Sequence, residues 1–168
     1  MRRMLLLIDY QKAFYNDNTK GTIKNIKNLV TKHKWDSVVQ TLWFNTQQEF
    51  NLYMMNLRYD KCGAYDKDSG LVERFKDSEM IPRYDMYSCV DEELLFKANN
   101  CDEVYIAGWD TDACVLGTCF GLFDAGVTFK IVADCVASKR QNCHEAAMTI
   151  IQRNFGQTVL VTSDEVNF

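Results

Sequence analysis

The segment Glu103-Val-Tyr-Ile-Ala-Gly-Trp-Asp-Thr-Asp-Ala-Cys-Val115 decides the fold, because it joins an apolar run of strand length to the start of a helical pattern. The run Glu103–Ala107 predicts a strand covered on both faces, as in a parallel sheet. The turn from Gly108 to Cys114 leads into a stripe of apolar residues at helical spacing, formed by Ala113, Leu116, Phe120 and Phe123. This strand–turn–helix order is typical of an α/β protein.

Five further apolar runs have the length of strands: Met4–Ile8, Ser37–Trp43, Glu79–Pro82, Phe129–Ala133 and Thr158–Val161. Helical stripes lie between several of them, formed by Ile23, Ile26, Leu29 and Val30 and by Ala146, Ala147, Ile150 and Ile151. Gly126 and Gly156 are expected to follow helix ends. We therefore predict a doubly wound, Rossmann-like α/β fold with a six-stranded parallel sheet, strand order 3-2-1-4-5-6 and helices on both faces.

The middle of the chain is harder to interpret. We expect one helix within Gln47–Leu57, a loop around Cys62–Ser69 and another helix near Gly70–Lys76. No Pro-rich or Gly-rich linker divides the sequence, so we expect a single domain over residues 1–168.

The composition is that of an ordinary globular protein, with 47% hydrophobic and 25% charged residues in 168. The formal net charge is −4 and no basic stripe stands out, so nucleic acid is not an expected partner. The apolar runs are too short to cross a bilayer, so no membrane association is expected. The seven cysteines are an odd number without a secretory pattern, and we expect reduced thiols in a cytoplasmic protein.

The predicted topology indicates where a ligand would bind. In an open parallel sheet, the site lies outside the carboxyl ends of the strands, where the strand order reverses. Here that point falls between the first and fourth strands, which brings Asp9 and Cys114 to one crevice. Cys114 is also predicted to lie in the first turn of a helix, where the helix dipole lowers the pKa of a thiol. On position alone, it is equally the kind of small residue that fills a core.

Three stretches resemble motifs of the isochorismatase-like cysteine hydrolases. Ile8–Phe14 resembles that family's Asp-x-Gln-x-x-Phe opening. Gly108–Val115 with Thr118 resembles its Gly-x-x-Thr-x-x-Cys-Val-x-x-Thr nucleophile motif. Asp134–Ser138, followed by His144, is similar to the exit of its fifth strand and its last helix. The resemblance spans nearly the whole chain and implies a single isochorismatase-like hydrolase domain.

The resemblance also implies the members of an active site. Asp9 would be the base and Cys114 the nucleophile of an Asp–Lys–Cys triad. A cis peptide bond is implied between Trp109 and Asp110, and the backbone N–H groups of Asp110 and Cys114 would form an oxyanion hole. The substrate pocket would be lined by Phe14, Trp43, Tyr87 and Trp109.

Two family features are missing from the sequence. The triad lysine has no counterpart between Asp77 and Val90, where Arg83 is the nearest cation. We expect Arg83 to take its place by holding the Asp9 carboxylate, with a surface arginine in a loop as the alternative. The histidines that bind metal in nicotinamidases are also missing after Trp43. We therefore expect neither a metal nor an organic cofactor.

The sequence thus predicts a hydrolase that cleaves an amide-type C–N bond of a small-molecule substrate through a thioester, and we expect a homo-oligomer. Two alternatives stay open. A catalytically impaired pseudoenzyme would keep the pocket and bind a small molecule. A vinyl-ether hydrolase would use Asp9 as a general acid and would not need Cys114. His144 is interpreted as a structural histidine, with a proton shuttle as the alternative.

Overall fold

The computed structural model describes residues 1–46 and 69–168, and its centre is a six-stranded parallel sheet in the order β3-β2-β1-β4-β5-β6. The strands are β1 (Arg3–Ile8), β2 (Ser37–Phe44), β3 (Glu79–Tyr84), β4 (Glu103–Trp109), β5 (Phe129–Ala137) and β6 (Leu160–Val161). The predicted fold class and strand order are confirmed. β3, β4 and β5 each continue past the apolar run that predicted them.

Helices cover both faces of this sheet. They are α1 (Asp17–Lys20), α2 (Ile23–Lys32), α3 (Glu92–Ala98), α4 (Leu116–Asp124) and α5 (Gln141–Phe155), with 3₁₀ turns at Lys12–Phe14 and Gln157–Val159 and a π-helical turn at Thr111–Val115. No helix within the described ranges is both long and apolar enough to cross a membrane.

Alternate residues of β1 enter two apolar clusters, because successive strand side chains point to opposite faces. Leu6 packs with residues of α3, α4 and α5, such as Leu94, on one face. Leu5 and Leu7 pack with Ile26 of α2 on the other face. The apolar stripe predicted for α2 is therefore correct, and β1 is the buried centre of the sheet.

The stripe predicted for α4 is wrong about which side faces the sheet. Phe120 and Phe123 are 38% and 60% exposed, and their rings pack on Phe155 of α5 with centroids 5.2 and 5.5 Å apart. The buried residues of α4 are Thr118, Cys119 and Leu122. Because α4 is apolar on more than one side, the spacing alone does not identify the packed face.

The predicted helix near Gly70–Lys76 is also wrong. Leu71 instead forms an antiparallel bridge with Gln11, and the backbone N–H of Val72 donates to the carbonyl of Tyr10 at 2.8 Å. This segment therefore packs as extended chain beside the residues that follow β1. The predicted helix within Gln47–Leu57, and residues 62–68 of the predicted loop, lie outside the described residues.

At Gly108, β4 leaves no space for a side chain next to β1. Gly108 is paired with Ile8 in the sheet register, and its φ of +113° lies in the region that favours glycine. A Cβ at this position would lie 2.6 Å from the Ile8 nitrogen and 2.8 Å from the Ile8 carbonyl carbon. Only glycine fits at this position, where the chain runs beside Ile8 on its way from β4 to the turn that carries Cys114.

Replacing Gly108 by alanine is expected to lower the free energy of unfolding by about 3 kcal/mol, because the new methyl group meets backbone and the positive φ is unfavourable. Gly126→Ala is the matched control, since Gly126 has a φ of +71° with no atom within 4 Å of the added Cβ. It should lose only about 1 kcal/mol, the conformational part. Urea unfolding measures both, and equal losses would contradict the steric explanation.

Candidate active site

Asp9 follows β1 directly and is fully buried at the carboxyl edge of the sheet. Its φ of +45° is a left-handed conformation that costs an L-residue roughly 1–2 kcal/mol. Its backbone N–H donates to Oγ1 of Thr41 at 3.0 Å, and that hydroxyl donates to Asp9 Oδ1 at 2.7 Å. Thr41 on β2 therefore orients the carboxylate. Its sequence signal is a polar residue inside an apolar strand, which does not by itself indicate a functional role.

Arg83 lies within β3 and is 6% exposed, so the alternative of a surface arginine in a loop is wrong. Its Nε donates to Asp9 Oδ1 at 3.1 Å, and its Nη2 donates to Asp9 Oδ2, which makes a two-bonded ion pair. Its Nη1 donates to the carbonyl of Met86. The side chain crosses β2 to reach Asp9, which is the contact expected of a cation in place of the family lysine.

Cys114 lies in the π-helical turn that follows β4, and not in the first turn of an α-helix. The residue is 8% exposed, and its thiol lies near enough to Asp9 and Arg83 for both to shift its pKa. Burial raises the pKa of the thiol, the Asp9 carboxylate raises it further, and Arg83 lowers it. The net pKa lies well above its ordinary value. The expected lowering is therefore wrong, because desolvation and the carboxylate outweigh the guanidinium and the helix end.

The peptide bond between Trp109 and Asp110 is cis. The carbonyl of Asp110 accepts the backbone N–H groups of Ala113 at 3.2 Å and Val115 at 3.1 Å, which closes the turn around Cys114. The oxyanion-hole role of the Asp110 and Cys114 N–H groups stays a prediction.

Gln11, the glutamine of the first motif, forms hydrogen bonds that only a side-chain amide could make. Its Oε1 accepts the backbone N–H of Trp43 at 2.8 Å. Its Nε2 donates to the carbonyls of Trp43 at 3.0 Å and Ser69 at 2.6 Å. The side chain thus pairs with the end of β2 much as another strand would. These hydrogen bonds hold the segment after Asp9 in place.

The residues predicted to line the pocket occupy two places. Phe14, Trp43 and Trp109 are buried in the apolar cluster on the α2 face of the sheet. The rings of Phe14 and Trp43 have centroids 6.3 Å apart. Tyr87 instead is 40% exposed and lies on the side of Cys114. Their contact with a substrate stays a prediction.

A groove of about 330 Å³ runs beside the turn that carries Cys114. The described residues that line it are Tyr87, Asp112, Ala113, Leu116, Gly117 and Phe120. Its walls are mostly apolar, with one phenol and one carboxylate. Burial raises the pKa of Tyr87, and the proximity of Cys114 and Asp112 raises it further. The groove is lined by residues on both sides of Cys114 in the sequence, and the sequence pattern does not identify it.

Thr118, the last residue of the second motif, joins α4 to the segment after β3. Its Oγ1 accepts the backbone N–H of Cys89 at 3.1 Å and lies 2.9 Å from the Cys89 sulfur. A Cβ on Gly117 would lie 3.2 Å from the nitrogen of Ser88, so α4 packs tightly against this segment. The position of Tyr87 next to Cys114 therefore depends on these two residues of α4.

The two histidines lie in different parts of the fold. His33 follows α2, with its ring centroid 5.7 Å from that of Phe168, and His144 lies in α5. Within residues 1–46 and 69–168, no three His, Cys, Asp or Glu side chains are placed to hold a metal ion together. That the reaction needs no metal stays a prediction.

A doubly wound sheet that brings a carboxylate, a cation and a thiol together at its carboxyl edge has the architecture of the cysteine hydrolases. The family model of the isochorismatase domain matches residues 3–164, and the chain belongs to that family. A sequence search of curated proteins finds no match.

Solved structures share the fold at low sequence identity. A cysteine hydrolase from Pseudomonas syringae pv. phaseolicola is 16% identical, with a TM-score of 0.84 over 98% of this chain and 90% of that one. PnC1 from L. infantum, solved in complex with nicotinate, is 15% identical, with a TM-score of 0.83 over 98% and 94%. N-carbamoylsarcosine amidase from Thermoplasma acidophilum is 17% identical, with a TM-score of 0.78 over 100% of both chains.

The charges around Cys114 predict opposite effects on its reactivity. Asp9→Asn removes a charge that raises the pKa of the thiol, and it should speed the labelling of Cys114 by iodoacetamide at pH 8. Arg83→Gln removes a charge that lowers this pKa and should slow the labelling. Peptide mass mapping measures the extent at each cysteine.

Cys119 is the internal control for folding in this experiment. It is fully buried, and burial raises the pKa of its thiol to about 12. It should stay unlabelled in every folded variant and reveals any variant that unfolds. Slower labelling of Cys114 in Asp9→Asn, with Cys119 protected, would show that the electrostatic explanation is wrong.

Proposed function

We propose that this chain hydrolyses an amide-type C–N bond in a small molecule, with Cys114 as nucleophile and Asp9 as the group that carries the proton. The observation that supports this most directly is the buried Asp9–Arg83 ion pair, whose two charges both act on the Cys114 thiol. Family membership supports the same class of reaction. The solved structures with this fold include a nicotinamidase/pyrazinamidase from Bacillus subtilis and the N-carbamoylsarcosine amidase.

The first half-reaction begins from a neutral thiol, because the pKa of Cys114 is raised in the resting site. Asp9 takes the thiol proton as the sulfur attacks the amide carbonyl carbon. The N–H groups of Asp110 and Cys114 would stabilise the oxyanion, each by about 3 kcal/mol in the transition state. Asp9 then gives its proton to the leaving nitrogen, the C–N bond breaks, and a thioester remains on Cys114.

The second half-reaction adds one water molecule. Asp9, again a carboxylate, takes a proton from this water as its oxygen attacks the thioester. The carboxylic acid product leaves, and Cys114 regains its proton from Asp9. One water is consumed for each C–N bond broken, and no other reactant is needed.

Arg83 holds Asp9 in place and keeps its own proton throughout. Burial is the largest influence on the guanidinium and lowers its pKa, but the charge and hydrogen bonds of Asp9 together with the nearby Cys114 and Cys89 raise the pKa above its ordinary value. The guanidinium therefore orients both carboxylate oxygens and donates no proton to the reaction, which differs from the lysine that the family pattern implies. We expect slow turnover or a narrow substrate range, because the pair leaves Asp9 little freedom.

A panel of small amides, read by ammonia release, should find a substrate that the wild-type protein hydrolyses. Cys114→Ala should lower kcat by at least about 10³-fold, because the covalent route is lost. Cys143→Ala is the matched control at a cysteine in α5, and it should keep full activity. Mass spectrometry of a single turnover should show an acyl adduct on the Cys114 peptide.

Other outcomes of this experiment select the alternatives. Activity of Cys114→Ala on a vinyl ether would favour the mechanism in which Asp9 is a general acid. Binding of amides without ammonia release would favour a pseudoenzyme with the same pocket.

Arg83→Lys should keep part of the activity and Arg83→Ala should abolish it, because Asp9 needs a cation to hold it in the buried site. The alanine variant leaves a buried carboxylate unpaired, which costs about 3–5 kcal/mol, so circular dichroism must show that it folds. Arg153→Ala, an exposed arginine in α5, is the matched control and should behave like wild type. Equal activity of the alanine and lysine variants would contradict the role given to Arg83.

A further inference from the structure

His144 bonds to the turn that carries the nucleophile. Its Nδ1 atom lies 2.9 Å from Oγ1 of Thr111, the fully buried residue that begins the π-helical turn. The next residue is held as well, because the backbone N–H of Asp112 donates to Oγ of Ser138 at 3.1 Å, just after β5. The start of the turn is thus anchored from α5 and from the end of β5. Neither contact has a place in the reaction proposed above.

The direction of the Thr111–His144 hydrogen bond depends on the charge of the imidazole. When the imidazole is neutral and protonated at Nε2, Nδ1 accepts the hydroxyl proton of Thr111. When the imidazole is charged, Nδ1 becomes a donor and the hydroxyl proton loses this acceptor. Protonation of His144 therefore reverses this hydrogen bond and turns the Thr111 hydroxyl proton away from the ring, which changes how the start of the turn is held.

We propose that His144 is a positioning residue, whose neutral form holds the start of the nucleophile turn and thereby the Cys114 sulfur against Asp9. Cys114 lies three residues after Thr111 in the same turn. A shift at the first residue of the turn therefore moves the sulfur relative to its base. The catalytic consequence rests on the proposed function, whereas the coupling of His144 to Cys114 is measurable without a substrate.

The surroundings of His144 set the pH range of this effect. Burial lowers the pKa of the imidazole, and the carboxylates of Glu145 on α5 and Asp112 on the turn act in the raising direction without cancelling it. Among the described residues, these two carboxylates are the charged groups that act on the ring. The pKa is therefore below the ordinary 6.5. The neutral form holds the turn at neutral pH, and the effect is lost as the pH falls through the lowered pKa.

The test follows the backbone amide signals of Asp110 and Cys114, and the imidazole signals of His144, by NMR between about pH 4.5 and pH 8. The amides should titrate with the same pKa as the imidazole. His144→Asn has no titrating ring, and in this variant the amide titration should disappear. Thr111→Val removes the oxygen that bonds Nδ1 of His144, so the amide titration should become uncoupled from the titration of the imidazole.

The matched control is His33→Asn, the same substitution at the histidine that follows α2, and it should leave the Cys114 titration intact. With a substrate in hand, His144→Asn should also remove the acid limb of the pH profile of kcat. His144→Ala should lower kcat by roughly 10-fold with KM unchanged. The inference would be overturned if the backbone amide signal of Cys114 did not change as the imidazole of His144 titrates. Coupled titration in a protein that hydrolyses no amide would contradict only the proposed function.

Discussion

The buried ion pair between Asp9 and Arg83 is the interaction on which the site depends. Removing two charges from water is unfavourable, so such a pair persists only with good geometry and additional hydrogen bonds. The parallel sheet supplies both, because β1 and β3 end at one edge with only β2 between them, and Thr41 on β2 bonds the carboxylate. Gly108 then lets β4 approach β1, so that the turn carrying Cys114 reaches the same carboxylate.

The fold is predictable from the sequence because strands buried on both faces leave continuous apolar runs, and β1 and β4 are the clearest. The rule for doubly wound sheets then places Asp9 and Cys114 at one edge before any contact is known. The packed face of α4 is not predictable in this way. The rings of Phe120 and Phe123 pack against Phe155 of α5. The spacing of residues along one helix contains no information about such a neighbour.

The residues that form the site are easier to predict from the sequence than the electrostatics between them. The start of a helix favours a thiolate, but burial and the Asp9 carboxylate raise the pKa of Cys114, and both depend on tertiary structure. Thr41 and His144 show the same limit. Their partners, Asp9 and Thr111, lie 32 and 33 residues away in sequence, so no local pattern marks either pair.

The proposed reaction does not need a proton from the residue that stands in place of the family lysine. A carboxylate has about four sites that accept hydrogen bonds. On Asp9, Arg83 uses two of these sites and Thr41 uses one, which leaves one to accept the thiol proton of Cys114 in the proposed reaction. In the proposed reaction, the one mobile proton would pass from the sulfur to this last site and from there to the leaving amine. In this proposal Arg83 can keep its proton throughout, because its role is to occupy other hydrogen-bonding positions of the Asp9 carboxylate.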